Sequence, residues 1–245
     1  FLTDCGKVRA INEDAGGIFI NKSGQILAAV ADGMGGHQAG EIASQMAIEI
    51  VKDKWELTVE FNEVTKAEIW MDETIQLINE RVYEHSLTNS ELKGMGTTIV
   101  ISLCTDEFVV VGHIGDSRCY LWNDETKLTR ITSDHSLVNE LVRTGQISEL
   151  DAEEHPRKNV LLKAIGTEPN ISPDIKTFEW QKNDRLLLCS DGLTNKIEDA
   201  ELEDALSKMT DEEKTVKELI ELANERGGED NITLAIVRNK VGEQK

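Results

Sequence analysis

Apolar residues occur in short runs broken by polar turns. GIFIN (17–21) and ILAAVA (26–31) flank KSGQ, a spacing that predicts a hairpin. TTIVISLC (97–104) and FVVVGHIG (108–115) flank TDE, and RCYLWN (118–123) and KLTRIT (127–132) flank DET. IKTFEWQ (175–181) and RLLLCSD (185–191) flank KND, and NITLAIVRN (231–239) is the last run. Nine strands joined mainly by short turns predict mostly antiparallel sheets.

A 3.6-residue period replaces the alternation elsewhere. It predicts helices over 38–54, with Ile42, Met46 and Ile50 on one face, and over 65–86, with Ile69, Ile75, Ile78 and Val82. A short helix is expected over 136–144, ended by Gly145, and two more over 199–208 and 211–226, the last stopped by Gly227-Gly228. Strands grouped with pairs of helices argue for α+β layers rather than strict βαβ alternation. No linker or internal repeat is visible, so residues 1–245 are expected to form a single domain. The longest irregular stretch, 145–173, holds all three prolines and has the length of a lid or binding loop.

Composition narrows the partners. The 245 residues carry 46 acidic and 26 basic side chains, a formal net charge of -20. Such a surface repels polyanions, which argues against a nonspecific nucleic-acid or anionic-membrane binder. No run of 18 apolar residues exists and no signal peptide is visible, so a cytoplasmic protein is expected. Cys104, Cys119 and Cys189 lie in apolar runs and no CxxC pair is present, which fits a reducing compartment. The sequence carries no oligomer signal, and a monomer is the default.

Acidic residues are so common here that only special backbone settings single one out. Glu13 and Asp14 precede the first strand in NED. Asp32 ends a strand before the Gly-rich turn of AVADGMGGH, Asp116 lies between two strands in HIGDSR, and Asp191 ends the apolar run LLLCSDGL. Asp230 precedes the last strand in GGEDN. Asp-Gly and Asp-Asn pairs are also ordinary turn signals, and one alone would mean little. Several carboxylates converging at sheet ends would repel one another unless a cation lay between them. Oxygen ligands suit a hard cation such as Mg²⁺ or Mn²⁺. The five histidines show no HxxH or HxxxH spacing, so a zinc site has little support.

The segments 3–14 (TDCGKVRAINED), 29–40 (AVADGMGGHQAG), 94–100 (GMGTTIV), 113–118 (HIGDSR), 133–167, 188–193 (LCSDGL) and 228–233 (GEDNIT) together resemble the metal-dependent protein serine/threonine phosphatases, the PPM or protein phosphatase 2C family. The likeness is greatest to the bacterial type that opposes Hanks-type kinases. It implies an α+β fold, a four-layer α-β-β-α sandwich with two central, mostly antiparallel sheets flanked by helices, and a flap at about 132–167.

The same resemblance implies the roles of the residues. Asp32 resembles the aspartate that bridges two central Mn²⁺ or Mg²⁺ ions, and Gly33 the residue lending its carbonyl to one of them. Glu13 resembles the second ion's carboxylate, acting directly or through water. Asp191 and Asp230 resemble ligands of the first ion, and Asp116 with Asp191 the site of a third. Asp14 and Asn231 would support the ligands from behind. Arg9 resembles the arginine that grips the substrate phosphate, suited to this by its planar fork. The implied reaction is direct attack of a metal-bridging hydroxide on phosphoserine or phosphothreonine in proteins, with no phosphoenzyme. Met34 stands where animal members carry a histidine, leaving His37 or a metal-bound water as proton donor. Phosphorylated proteins, including a cognate Hanks-type kinase, are the implied partners.

Tyrosine-phosphatase chemistry is excluded, because none of the four cysteines has an arginine six residues later. Two other readings stay open. One is a regulator of this fold without turnover, which should have lost Asp32, Asp191 or Asp230. The other is a binuclear hydrolase of small phosphoesters, which would need a base- or sugar-binding cleft. Within the flap, Arg143, Arg157, Lys158 and Lys163 form a basic patch expected to recognise phosphopeptides or gate a third metal.

Overall fold

The computed structural model describes residues 1–35, 38–88 and 90–240. Among them the chain forms two sheets in which every pairing is antiparallel. One sheet has the order β1 (Leu2–Asp4), β11 (Ile232–Arg238), β10 (Arg185–Cys189), β7 (Arg118–Asn123), β8 (Lys127–Arg130). The other has the order β2 (Asp14–Ile20), β3 (Ile26–Met34), β5 (Ile99–Cys104), β6 (Phe108–Ile114), β9 (Asp174–Glu179), with the two-residue β4 (Gly96–Thr97) beside β3.

Side-chain alternation sorts each central strand into two cores. Ala28 and Val30 of β3 meet Leu186 and Leu188 of β10 between the sheets, together with Val100, Val109, Cys119, Leu121 and Val237. The intervening Leu27, Ala29 and Ala31 face the other way, onto α1 (Ala39–Leu57) and α2 (Val64–Ser86). Leu187 and Cys189 pack beneath α6 (Asp199–Lys208) and α7 (Glu212–Glu225). The result is the expected four-layer α-β-β-α sandwich. Strands buried on both faces read as continuous apolar runs because neither face meets water. Each fully buried Leu or Val contributes roughly 1.5–3 kcal/mol.

The elements depart from the sequence reading at the strand ends, where the chemistry lies. There are eleven strands among the described residues, not nine. β1 escapes the pattern because three residues are too few to alternate, and it exists by pairing with β11. β3 runs on to Met34, so Asp32 lies within the strand, directly opposite Asp14 on β2. β10 stops at Cys189, and Asp191 opens the short helix α5 (Asp191–Thr194). Within 145–173 a further helix, α4 (Glu149–Glu153), is held by a capping box between Ser148 and Asp151. It follows α3 (Leu137–Arg143), the short helix expected over 136–144. No described helix is long and apolar enough to cross a membrane.

Candidate metal centre

Asp14 and Asp32 face each other across β2 and β3 of one sheet. Asp191 follows β10, and Asp230 and Asn231 precede β11, both strands of the other sheet. The four carboxylates therefore meet at one end of the sandwich, where the two sheets approach. Burial drives Asp32 well above the usual carboxylate range, and Asp14, Asp191, Asp116 and Asp230 push it further up. Asp191 is raised by burial and by Asp230, while Asn195 and a hydrogen bond shared with Asp32 pull it back. Two carboxylates can share a hydrogen bond only if one keeps a proton, which is the state such a pair adopts without a cation. Asp116 is pushed up to about 7 by burial, then by Asp191 and Asp134.

The supporting shell is more explicit than the sequence allowed. Ser190 Oγ donates to Asp14 Oδ2 at 2.7 Å, and burial pushes Asp14 up to about 7. Asn231 ties three segments together. Its Oδ1 accepts the Glu13 N–H at 2.7 Å, and its Nδ2 donates to the carbonyls of Cys5 and Ile11, each at 3.0 Å. Those bonds fix both ends of the loop that carries Arg9. Gly33 N–H donates to the Glu13 carbonyl at 3.0 Å, and a Cβ at Gly33 would lie 2.1 Å from the Gly40 oxygen. Only glycine lets β3, the NED segment and the start of α1 approach this closely.

Thr98 supports Asp32 from behind. Its hydroxyl accepts the Asp32 N–H at 2.9 Å and meets the Ser117 hydroxyl at 2.7 Å, so it joins Asp32 to the turn bearing Asp116. Asn195, donating to Asp191 Oδ2 at 3.0 Å, was missed altogether. It lies one helical turn after Asp191, a spacing that could have flagged it.

Arg9 occupies a different place from that expected of a free phosphate ligand. Its Nη2 donates to Asp230 Oδ2 at 2.9 Å. Glu13 is raised by burial, against the pull of Arg9, with Asp230 and Glu41 adding to the rise. His37 lies outside the described residues. Within residues 132–167, Arg143 pairs with Glu140 at 2.7 Å and Lys163 lies 3.5 Å from Asp174, while Arg157 and Lys158 stand exposed.

The donor set fits divalent cations. It consists of carboxylates, and two of their oxygens, Glu13 Oε1 and Asp14 Oδ1, are buried with no hydrogen-bond partner. Buried carboxylate oxygens without partners are costly unless a cation or proton satisfies them. A second cluster, His113, His135 and Asp174, brings its ligand atoms within 4.8 Å of one another. It suits a cation poorly. Gly115 N–H donates to His135 Nδ1, His113 Nε2 faces the Ser133 carbonyl, and Lys163 sits beside Asp174.

Known proteins resemble this chain in sequence and in fold. Residues 4–232 match the family described as Protein phosphatase 2C. The serine/threonine phosphatase stp of Listeria monocytogenes serotype 4b is 47% identical, over 97% of this chain and 94% of that protein. The crystal structure of serine/threonine phosphatase Stp1 from Staphylococcus aureus superposes with a TM-score of 0.91 at 42% identity, covering 97% of this chain and 92% of that one. The catalytic domain of serine threonine protein phosphatase PstP, solved in complex with 2 manganese ions, gives a TM-score of 0.83 at 34% identity, with 96% and 94% covered.

Proposed function

The chain belongs to the protein phosphatase 2C family and is a metal-dependent serine/threonine protein phosphatase, and from that premise we propose which residues do the work and how. Asp32, Asp191, Asp230 and Glu13, with the Gly33 carbonyl, hold two central Mn²⁺ or Mg²⁺ ions. Asp116 and Asp191 hold a third. When bound, these ions supply a water of lowered pKa and offset charge on the phosphoryl oxygens.

The observation that carries this reading is the convergence of carboxylates from both sheets on Asp32. A cluster that must share protons when alone is built to exchange them for cations. Arg9 binds the substrate phosphate through its fork, leaving Asp230 as the phosphate arrives. Asn231 holds the Arg9 loop and the Glu13 backbone in register, so binding and catalytic groups move as one. His37 is the candidate donor of a proton to the departing serine or threonine oxygen. Water is the nucleophile. Cys104, Cys119 and Cys189 are buried, and the Cys5 thiol donates to the Arg9 carbonyl, so no cysteine is poised to form a phosphoenzyme.

The whole chain acts as one catalytic domain in the cytoplasm as a monomer. Its substrates are phosphorylated proteins, a Hanks-type kinase among them, and residues 132–167 form its flap. The deciding experiment is Mn²⁺-dependent dephosphorylation of a phosphothreonine protein by the wild type and by Asp32→Ala. Full activity without metal, or in the variant, overturns the assignment.

A further inference from the structure

The flap and the Asp116 turn meet at one residue. His135 N–H donates to the Gly115 carbonyl at 2.9 Å, and Gly115 N–H donates to His135 Nδ1 at 3.1 Å. On its other side the His135 carbonyl accepts the Leu162 N–H at 2.7 Å, where the flap returns. The neighbouring Ser136 and Leu161 form a β-bridge, and Leu137 N–H donates to the Val160 carbonyl at 2.8 Å. His135, on one arm of the flap root, therefore bonds at once to the residue before Asp116 and to Leu162 on the other arm.

The ring's tautomer is fixed by its partners. A main-chain N–H only donates, so Nδ1 is the bare acceptor and Nε2 carries the hydrogen. Nε2 lies 3.3 Å from Asp174 Oδ1. The ring stacks on His113 at 4.7 Å between centroids, with 10° between planes. Gly115 has a φ of +103°, and a Cβ there would lie 2.6 Å from Thr98 Cγ2. The turn is thus clamped between Thr98, which is bonded to Asp32, and His135, which is bonded to the flap. Without the His135 contact, Gly115 loses the acceptor that holds its amide, and the turn bearing Asp116 is held from the Thr98 side alone.

We propose that His135 is a positioning residue that locks the Asp116 turn to the root of the flap, so that the flap's seating sets how tightly Asp116 holds a divalent cation. The inference rests on the reading of Asp116 as a cation ligand, and it names the contact through which the flap reaches that ligand. Supporting residues behind metal ligands change affinity by about 10–100-fold when lost.

The two ring nitrogens can be tested apart. The oxygen of Asn reaches the place of Nδ1, whereas the amide of Gln reaches the place of Nε2. Mn²⁺ binding to the full chain, followed by titration calorimetry, is expected to lose about tenfold in its weakest class of site in His135→Gln. The tighter sites and the thermal midpoint should hold, and His135→Asn should bind as wild type. Leu162→Pro removes the donor to the His135 carbonyl. It should weaken the same class of site and expose the flap to limited proteolysis. Wild-type binding in His135→Gln, equal losses in the Asn and Gln variants, or wild-type binding in Leu162→Pro would each overturn the inference. Asp116→Asn separates the two levels. If it keeps the weak class, the reading of Asp116 fails and the inference falls with it. If Asp116→Asn loses that class and His135→Gln keeps it, the positioning role alone is wrong.

Discussion

Ser190 and Asp14 meet at 2.7 Å in the interior, and the same Ser190 oxygen accepts the Thr233 N–H at 3.0 Å. One hydroxyl thereby joins β10 and β11 of one sheet to β2 of the other, directly behind the carboxylate cluster. Ser190→Ala removes the acceptor of the Thr233 amide and one of the two hydroxyl partners of the Asp14 carboxylate, the other being Thr233. The expected cost is about 1–3 kcal/mol in urea unfolding of the metal-free protein. A change below about 0.5 kcal/mol would show that the link carries no stability.

Asp14 itself gives a pH dependence with a definite sign. Burial raises its carboxyl to about 7, against about 3.9 in an unfolded chain. Between those values the unfolded state gives up the proton and the folded state keeps it. Folding stability therefore falls as pH rises through the window and levels off above about 7. Asp14→Asn has no such proton. In chelator, wild type should lose stability relative to Asp14→Asn by on the order of 1 kcal/mol per pH unit between about pH 4 and 7. Unfolding curves at three pH values measure this, and a gap independent of pH refutes it.

Both residues illustrate what the sequence could reveal. The apolar runs predicted the sheets because a strand buried on both faces has little choice of composition. Asp32, Asp191 and Asp230 stood out because glycine or asparagine beside a strand-end carboxylate is a local signal. Ser190 and Thr98 carried no such signal. Their roles depend on which strands become neighbours, as when β10 and β11 bring Ser190 within reach of Asp14, 176 residues away. The His113, His135 and Asp174 cluster was invisible for the same reason, since its members come from β6, the segment between β8 and α3, and β9. Arg9 was legible as a residue but not in its resting contact, because nothing in NED or GEDN says that the two loops touch.

That contact separates binding from stability. Arg9 and Asp230 are 48% and 36% exposed, and an ion pair so open to water contributes little to folding. Arg9→Ala should leave the unfolding midpoint within about 0.5 kcal/mol. A charge-assisted bond to phosphate of about 1.5–3 kcal/mol predicts a loss of roughly 10–100-fold in kcat/KM. Arg9→Lys should recover part of it as a point charge without the fork. Turnover in Arg9→Ala equal to wild type would remove Arg9 from the phosphate site.

The basic residues within 132–167 are not equivalent. Arg143 is held by Glu140 and Lys163 lies beside Asp174. Arg157 and Lys158 stand exposed in the turn after α4, with the Lys158 amide bonded to the His155 carbonyl at 3.0 Å. In a chain of net charge -20, two adjacent exposed cations are a local exception that an acidic phosphopeptide would meet. Charge reversal of both, Arg157→Glu with Lys158→Glu, should raise KM for a phosphoprotein several-fold, and less so at high salt. A small aryl phosphate has no flanking peptide for these cations to hold, so its kcat and KM should stay near wild type. Equal losses on both substrates would place the effect at the metal centre instead, and no loss on either would leave these cations outside substrate recognition.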